Sequence, residues 1–202
     1  MQILTARHRT EDEIKKSRFL ATAAPVESAE QALALLPELK DPKATHNTWA
    51  FKVGEVHRFS DDGEPGGTAG RPILSAIEQV GIDRVLVMVT RHFGGIKLGS
   101  GGLVRAYGGA AARCLREAPR VTLVLHALLE VPVPFDLVGV AHRVMERYGG
   151  SRQSETHTAE GTLLSILVAV ESEAGLVRGL LDLSAGRLRV TGRSEILRPS
   201  RS

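Results

Sequence analysis

The chain has 202 residues, of which 43% are hydrophobic and 24% are charged, and its formal net charge is +3. This composition is ordinary for a globular protein large enough for one good core or two modest ones. It excludes a membrane-spanning helix, because no apolar run reaches the roughly 18 residues required. A single cysteine also excludes an internal disulfide and a thiolate-rich zinc site. The N-terminal residues lack the order of a signal peptide, so we expect a cytoplasmic protein without a membrane partner.

The first half of the chain is predicted to alternate short strands and helices. The predicted elements are strands at 17–24, 48–54 and 56–59, a helix at 28–39 that opens with the capping-box pattern Ser28-Ala29-Glu30-Gln31, and a helix from Pro72 to about Val80. Residues 84–90 form a continuous apolar run, which is typical of a central strand buried on both faces.

A basic, glycine-rich segment follows that strand. Residues 84–116 contain six Arg or Lys, seven glycines and no Asp or Glu. We predict a helix from Gly101 to Glu117 with Ser100 as its cap. The residues predicted on its buried face are Leu103, Val104, Tyr107, Ala111, Cys114 and Leu115, and those on its opposite face are Arg105, Arg113 and Arg116. Cys114 is therefore expected to be an inert, buried thiol.

The second half of the chain has a different pattern. The predicted elements are a strand at 120–133, a helix capped by Asp136 and ending at Tyr148, strands at 151–157 and 163–170, a helix at 172–183, a strand at 188–197 and a frayed tail at 198–202. The order β-α-β-β-α-β is the split βαβ, ferredoxin-like arrangement. We therefore predict an α+β protein with two domains, residues 1–130 and residues 131–202.

The glycine-rich loop is the strongest candidate for a binding site. A glycine-lined turn that leads from a buried strand into a helix exposes free N–H groups at the positive end of the helix dipole. The Walker A and dinucleotide-binding spacings are both absent. We predict a phosphate or other anion site formed by Arg91, Lys97, Gly99, Ser100, Gly101, Gly102 and Arg105. The alternative is that the glycines only allow a tight corner between a strand and a helix.

A polar loop at residues 60–70 is predicted to support this site. Its carboxylates Asp61, Asp62 and Glu64 are compatible with a divalent cation, but no EF-hand spacing follows and Asp-Gly is a common turn. We favour a loop that includes Thr68 and that orients Arg91 or Arg105 by ion pairing. The histidines at 46, 57 and 92 match no metal signature either, so we predict neither a metal site nor a cofactor.

Several long segments of the chain resemble the IMPACT/YigZ family, over residues 1–125. These segments are Ser17-Arg18-Phe19, residues 46–51, residues 58–74 and residues 91–108. The resemblance implies an N-terminal α/β sandwich like the second domain of ribosomal protein S5. It also implies a C-terminal ferredoxin-like domain similar to a domain of elongation factor G. Two residues depart from the family pattern, since His92 stands where Tyr or Trp is usual and Thr48 stands where Cys is common.

The resemblance also implies a function. Eukaryotic relatives act in translational control by restraining a stress-activated kinase through its activator, with a further domain that has no counterpart in these residues. For a bacterial-type architecture it implies instead a non-enzymatic regulator that binds RNA or a ribosome or translation component. Two alternatives remain open, namely an enzyme or sensor for a small phosphorylated ligand or nucleotide, and a protein–protein adaptor.

Overall fold

A computed structural model describes residues 1–199 of the chain. The chain divides into two compact units, Met1–Thr122 and Leu123–Ser202. The division lies before the boundary predicted at residue 130, because the long strand that begins at Arg120 supplies most of its residues to the second unit. The mixed α+β class predicted from the sequence is confirmed. No helix among residues 1–199 combines the length and the apolar character needed to cross a bilayer.

Unit 1 is built on a five-stranded antiparallel sheet. The strands of this unit are β1 (Gln2–Leu4), β2 (His8–Ile14), β3 (Ser17–Pro25), β4 (His46–Val53), β5 (Val56–Ser60), β6 (Ile82–Asp83), β7 (Val85–His92) and the start of β8 (Arg120–Pro134). The sheet has the spatial order β2-β3-β7-β4-β5. The short β1 pairs in parallel with β6 and antiparallel with the first residues of β8. The sequence did not predict β1, β2 or β6, which are either very short or dominated by polar residues.

Three helices cover the two faces of this sheet. They are α1 (Ala29–Leu39), α2 (Gly70–Val80) and α3 (Ser100–Glu117). The helix α1 begins as predicted, since the Ser28 hydroxyl accepts a hydrogen bond from the Gln31 N–H. Helices α2 and α3 pack on one face with a large apolar core, and α1 packs on the other face with a smaller one.

The strand β7 explains why both faces must be covered. Val85, Val87 and Val89 belong to the core beneath α2 and α3, whereas Leu86 and Met88 belong to the core beneath α1. All five side chains are at most 1% exposed, as the continuous apolar run predicts. Burial of each such side chain stabilises the fold by about 1.5–3 kcal/mol, so β7 is the main apolar strand of unit 1.

The helix α3 lies where it was predicted, with two corrections. Gly99 rather than Ser100 is the N-cap residue, because Ser100 is already helical. Val104 is 41% exposed, whereas Ala106 and Ala110 are buried. The packed face of α3 therefore includes small alanines and does not include Val104. Cys114 is fully buried, with its Sγ 3.5 Å from the Ala21 carbonyl oxygen that accepts its S–H, and burial raises the pKa of this thiol.

Unit 2 contains the predicted order of elements from β8 onward. These elements are a 3-10 turn (Phe135–Leu137), α4 (Val138–Arg147), β9 (Ser151–His157), β10 (Gly161–Ala169), α5 (Val170–Leu183) and β11 (Gly192–Pro199). The strands form an antiparallel sheet in the order β11-β8-β10-β9. Its core combines buried residues of β8 and β10 with residues of both helices.

Three predictions for unit 2 need correction. Asp136 does not cap α4, because it lies within the 3-10 turn and pairs instead with Arg187. Leu188 precedes the last strand rather than starting it, and its buried side chain joins the core. The strand β11 continues through Pro199, so the start of the predicted frayed tail is ordered, while residues 200–202 lie outside the described residues.

Candidate functional site

The glycine-rich loop leads from β7 into the first turn of α3. Gly99 has a φ of 73°, no side chain caps the helix, and the first turn contains no acidic residue. The Leu103 N–H donates to the Gly99 carbonyl at 2.9 Å, which is the first bond of the helix. Within residues 1–199, the N–H groups of residues 100–102 have no acceptor, and Ser100 and Gly101 are exposed. The loop therefore presents unsatisfied donors at the positive end of a helix dipole.

Two of the predicted cations lie at this end of α3. Lys97 and Arg105 are both exposed. A methyl group built on Gly101 would lie 3.6 Å from Arg105 Nη1, so the guanidinium group covers part of the first turn. Lys97, Arg105 and the exposed residues 99–101 therefore form one cationic surface, which we call the α3 N-terminal surface.

The alternative role for the glycines, a tight corner, applies at Gly94 and also at Gly102, which belongs to the predicted anion site. A Cβ on Gly102 would lie 2.9 Å from Leu98 Cβ, and Leu98 packs against the core of unit 1. A Cβ on Gly94 would lie 1.9 Å from the Lys16 carbonyl oxygen. Both positions therefore need glycine for close packing.

Arg91 does not belong to the α3 N-terminal surface. It is 5% exposed, and its Nη1 donates to Glu64 Oε1 at 2.7 Å. Its guanidinium carbon lies 5.5 Å from the ring centroid of Phe19 and 5.3 Å from that of Phe93. Because a buried carboxylate already balances its charge, Arg91 positions neighbouring groups rather than meeting an anion from solvent.

Glu64 is the centre of a buried polar network. Its Oε1 also accepts a hydrogen bond of 2.7 Å from the Tyr107 hydroxyl of α3, and His46 Nε2 lies 3.8 Å away. Burial, together with the hydrogen bond to Glu64, raises the pKa of Tyr107 far above its usual range. The ion pair that we predicted between this loop and Arg91 is present, whereas Arg105 has no such partner among residues 1–199.

The other residues of the supporting loop stabilise its shape and the start of α2. Asp61 accepts hydrogen bonds from the N–H groups of Gly67, Ala69 and Gly70 at 2.8–3.0 Å. Burial opposes the charge of Asp61, but these three bonds outweigh it and lower its pKa. Asp62 accepts from the Asn47 N–H, and the Thr68 hydroxyl donates to the Pro65 carbonyl.

The three carboxylates of the loop consequently have separate partners. Among the described residues 1–199, no group of three or more His, Cys, Asp or Glu side chains is arranged to hold a metal ion. The histidines at 46, 57 and 92 lie on three different strands, β4, β5 and β7.

Sequence reasoning missed several residues around the network. Ser17 is fully buried, and its hydroxyl accepts from Arg91 Nη2 at 3.4 Å and from the Gly94 N–H at 3.2 Å. The Thr45 hydroxyl accepts from the Phe93 N–H at 3.0 Å. The pairing register that sets Ser17 beside this loop could not be read from one sequence, although a phenylalanine between Arg91 and Lys97 in a glycine-rich loop was a visible signal.

The fold and the site together define an α+β protein of two units with an uncapped, cationic helix N-terminus at the end of a buried strand. The Impact N-terminal domain matches residues 15–115, which include β7, the glycine-rich loop and most of α3. The chain belongs to the IMPACT family.

Relatives from distant bacteria match most of the chain. It is 48% identical over 180 residues to an IMPACT family member encoded in the pol 5' region of Thermus thermophilus, covering 89% of this chain and 99% of that protein. It is 35% identical to IMPACT family member YvyE of Bacillus subtilis, covering 86% of this chain and 82% of that protein. A crystal structure of a hypothetical protein, 32% identical, covers 94% of this chain and 95% of its own, with a TM-score of 0.57.

Proposed function

We propose that this protein is a non-enzymatic regulator linked to translation, and that it binds RNA or an RNA-containing translation component. The α3 N-terminal surface, together with the adjoining amide of Gly102, is the binding site, and the amides of residues 100–102 and the side chains of Lys97 and Arg105 contact phosphate groups. Such a partner is in the cytoplasm, where we propose that the protein acts.

One observation carries this proposal: no side chain of the described residues accepts from the first amides of α3, whereas side chains do so at the other two helices of unit 1. Ser28 caps α1, and the carboxylate of Asp61 satisfies the first amides of α2. The first turn of α3 instead has unsatisfied donors, two flanking cations and no acidic side chain. A polyanion satisfies both the donors and the charges.

The double substitution Lys97→Glu with Arg105→Glu tests the proposal. We expect the variant to bind a labelled single-stranded RNA at least about tenfold more weakly than the original protein. We also expect its plot of log affinity against log salt to be shallower by about 1.4, since each lost phosphate contact contributes about 0.7. Fluorescence anisotropy over a range of salt concentrations measures both quantities.

A matched control is Lys40→Glu with Arg116→Glu, which changes the net charge equally. Lys40 is exposed at the end of α1, and Arg116 is exposed in the last turn of α3, about 24 Å along the helix from Ser100. RNA affinity equally reduced in both double variants would contradict a localised site. If the original protein binds a nucleotide but no RNA, and Lys97→Glu with Arg105→Glu loses the nucleotide, the alternative of a small phosphorylated ligand is favoured.

We further propose assignments for the two units. Unit 1, with helices on both faces of its sheet, corresponds to the domain like ribosomal protein S5 domain 2. Unit 2 corresponds to a ferredoxin-like domain, and its order of elements and the strand order β11-β8-β10-β9 support this assignment.

A further inference from the structure

Phe93 is an exposed aromatic residue on a fixed backbone. Its side chain is 45% exposed, directly after the end of β7. The N–H groups of Phe93 and Gly94 donate to the hydroxyls of Thr45 and Ser17, at 3.0 and 3.2 Å. The Lys16 carbonyl approaches Gly94 so closely that no side chain fits there, so the backbone after Phe93 is packed against the β2–β3 turn. A large apolar ring is therefore held in solvent by a segment with little freedom.

One side of this ring is already occupied. The guanidinium carbon of Arg91 lies 5.3 Å from the centroid of the Phe93 ring, which is the range of a cation–π contact. Arg91 is itself fixed by Glu64 and Ser17. The ring therefore has a rigid, cationic support on one side, and its exposed part is available to another flat group.

A turn that contains two lysines packs against Gly94, the residue after Phe93. Lys15 and Lys16 form the two-residue turn between β2 and β3, with φ values of 48° and 65°. Asn and Gly are the usual residues in such a turn, because both positions need a positive φ that lysine disfavours. Both lysines are exposed, and the Lys16 carbonyl contacts Gly94, so the turn lies against the residue that follows Phe93.

The acidic residues of the same hairpin are largely paired. Glu11 accepts from Arg18 Nε at 2.6 Å, and Asp12 accepts from Arg113 Nη1 at 2.5 Å. Glu13 is exposed and remains as the one acidic residue of β2 without an ion pair in the described part of the chain. Lys15 and Lys16 of the turn and Lys97 of the loop therefore supply three exposed cations to the segments around Phe93, against Glu13. Asp41 lies 3.2 Å from Nε2 of the adjoining His92.

We propose that Phe93 stacks on an unpaired base of single-stranded RNA, while Lys15 and Lys16 contact the adjoining phosphates. The inference deepens the proposed function, because Phe93 and Lys97 belong to the same loop. An aromatic ring supported from behind and flanked by cations fits the alternating bases and phosphates of a single strand. A duplex does not fit, since its bases are already stacked inside the helix.

Anisotropy titrations with labelled oligouridylate of about 12 nucleotides, and with an RNA duplex of equal length, test the proposal. We expect Phe93→Leu to bind the single strand about 5- to 150-fold more weakly, the effect of losing one base–aromatic stack. Affinity for the duplex should change less than about twofold. Phe93→Tyr should retain affinity for the single strand, and Phe59→Leu, at a phenylalanine that is 40% exposed on β5, is the matched control.

The lysines are tested by Lys15→Asn with Lys16→Asn, because asparagine tolerates a positive φ and keeps the turn. We expect the salt slope for the single strand to fall by about 1.4. A separate measurement uses Phe93→Trp, whose fluorescence should be quenched by oligouridylate more than that of the original protein, which contains only Trp49.

The outcomes separate the two proposals. If Lys97→Glu with Arg105→Glu weakens binding while Phe93→Leu does not, stacking is refuted and the proposed function stands. Equal weakening for single strand and duplex in Phe93→Leu, or no additional quenching in Phe93→Trp, also refutes stacking. If the original protein binds neither RNA, the proposed function fails together with this inference.

Discussion

Arg91 and Glu64 form an ion pair whose two side chains are 6% and 4% exposed. Such a pair gains little net stability, because removing both charges from water costs nearly as much as their attraction returns. Its value lies in geometry, since it connects β7, the loop before α2 and, through Tyr107, the helix α3. Arg91 Nε is buried without a hydrogen-bond partner, so the network depends on the contacts of the other two nitrogens.

Glu64→Gln is expected to destabilise the protein by about 3–5 kcal/mol, because it leaves the Arg91 charge buried without a counter-charge. Urea denaturation measures the loss in the free energy of unfolding. The control is Glu38→Gln, which breaks an ion pair with Arg7 whose side chains are 37% and 60% exposed, and should change stability by less than about 1 kcal/mol. Equal effects in the two variants would show that the buried pair has no special role.

Tyr107 should make stability depend on pH in the alkaline range. Burial and the hydrogen bond to Glu64 raise the pKa of Tyr107 in the folded protein far above its usual range, so the unfolded chain loses this proton first as pH rises. The contribution is therefore complete below about pH 10 and is lost above it, by up to about 1.4 kcal/mol per pH unit. Urea unfolding between about pH 9 and pH 11 should show a steeper decline for the original protein than for Tyr107→Phe, and parallel declines would disprove the assignment.

At the scale of elements, two glycines of residues 84–116 should respond to substitution by alanine in opposite directions. Gly109 is exposed within α3, and a Cβ there would meet nothing within 4 Å. Gly109→Ala should therefore stabilise the protein by about 0.5–1 kcal/mol, by improving helix propensity. Gly94→Ala should destabilise it by about 1–3 kcal/mol, because the new methyl group would overlap the Lys16 carbonyl. Thermal unfolding of both variants provides the comparison, and a destabilising Gly109→Ala would contradict this description of α3.

Most of the elements could be predicted from local patterns, whereas β1, β2 and β6, which are very short or mostly polar, could not. The apolar run was enough to locate β7, and the glycine-rich segment was enough to locate the start of α3. Both patterns depend on residue type alone, because hydrophobicity and backbone freedom are properties of single residues. The errors arose where tertiary packing decides. Val104 is apolar but faces outward, since small alanines occupy the packed side of α3, and Asp136 has a suitable side chain for a cap but pairs with Arg187.

At the scale of the whole molecule, each unit has its own apolar core. Leu164→Ala removes a fully buried side chain from the core of unit 2 and should cost about 2–5 kcal/mol. The backbone amides of unit 2 should then lose most protection from hydrogen exchange. In Val87→Ala, the amides of unit 1 should lose protection instead. Uniform loss of protection in both units, in either variant, would show that the two cores do not act separately.

The two-part organisation was visible in the sequence, but the polar network was not. Arg91 and Glu64 are 27 positions apart, Tyr107 and Glu64 are 43 apart, and Ser17 and Arg91 are 74 apart. No local periodicity relates residues at such separations, so only strand register and helix packing bring them together. The predicted anion site, in contrast, was inferred from contiguous residues, and what the structure shows of it is an exposed helix start without a side-chain cap among the described residues, from which Arg91 is excluded.

The fully buried Cys114 is a natural probe of thiol accessibility. Because it is the sole cysteine of the chain, a thiol-reactive dye has one possible target, and that thiol is inaccessible while unit 1 is folded. The speed of labelling in excess reagent would then report how often this unit opens, without any engineered probe. Comparing labelling speed with and without RNA would reveal how strongly a bound partner holds unit 1 shut.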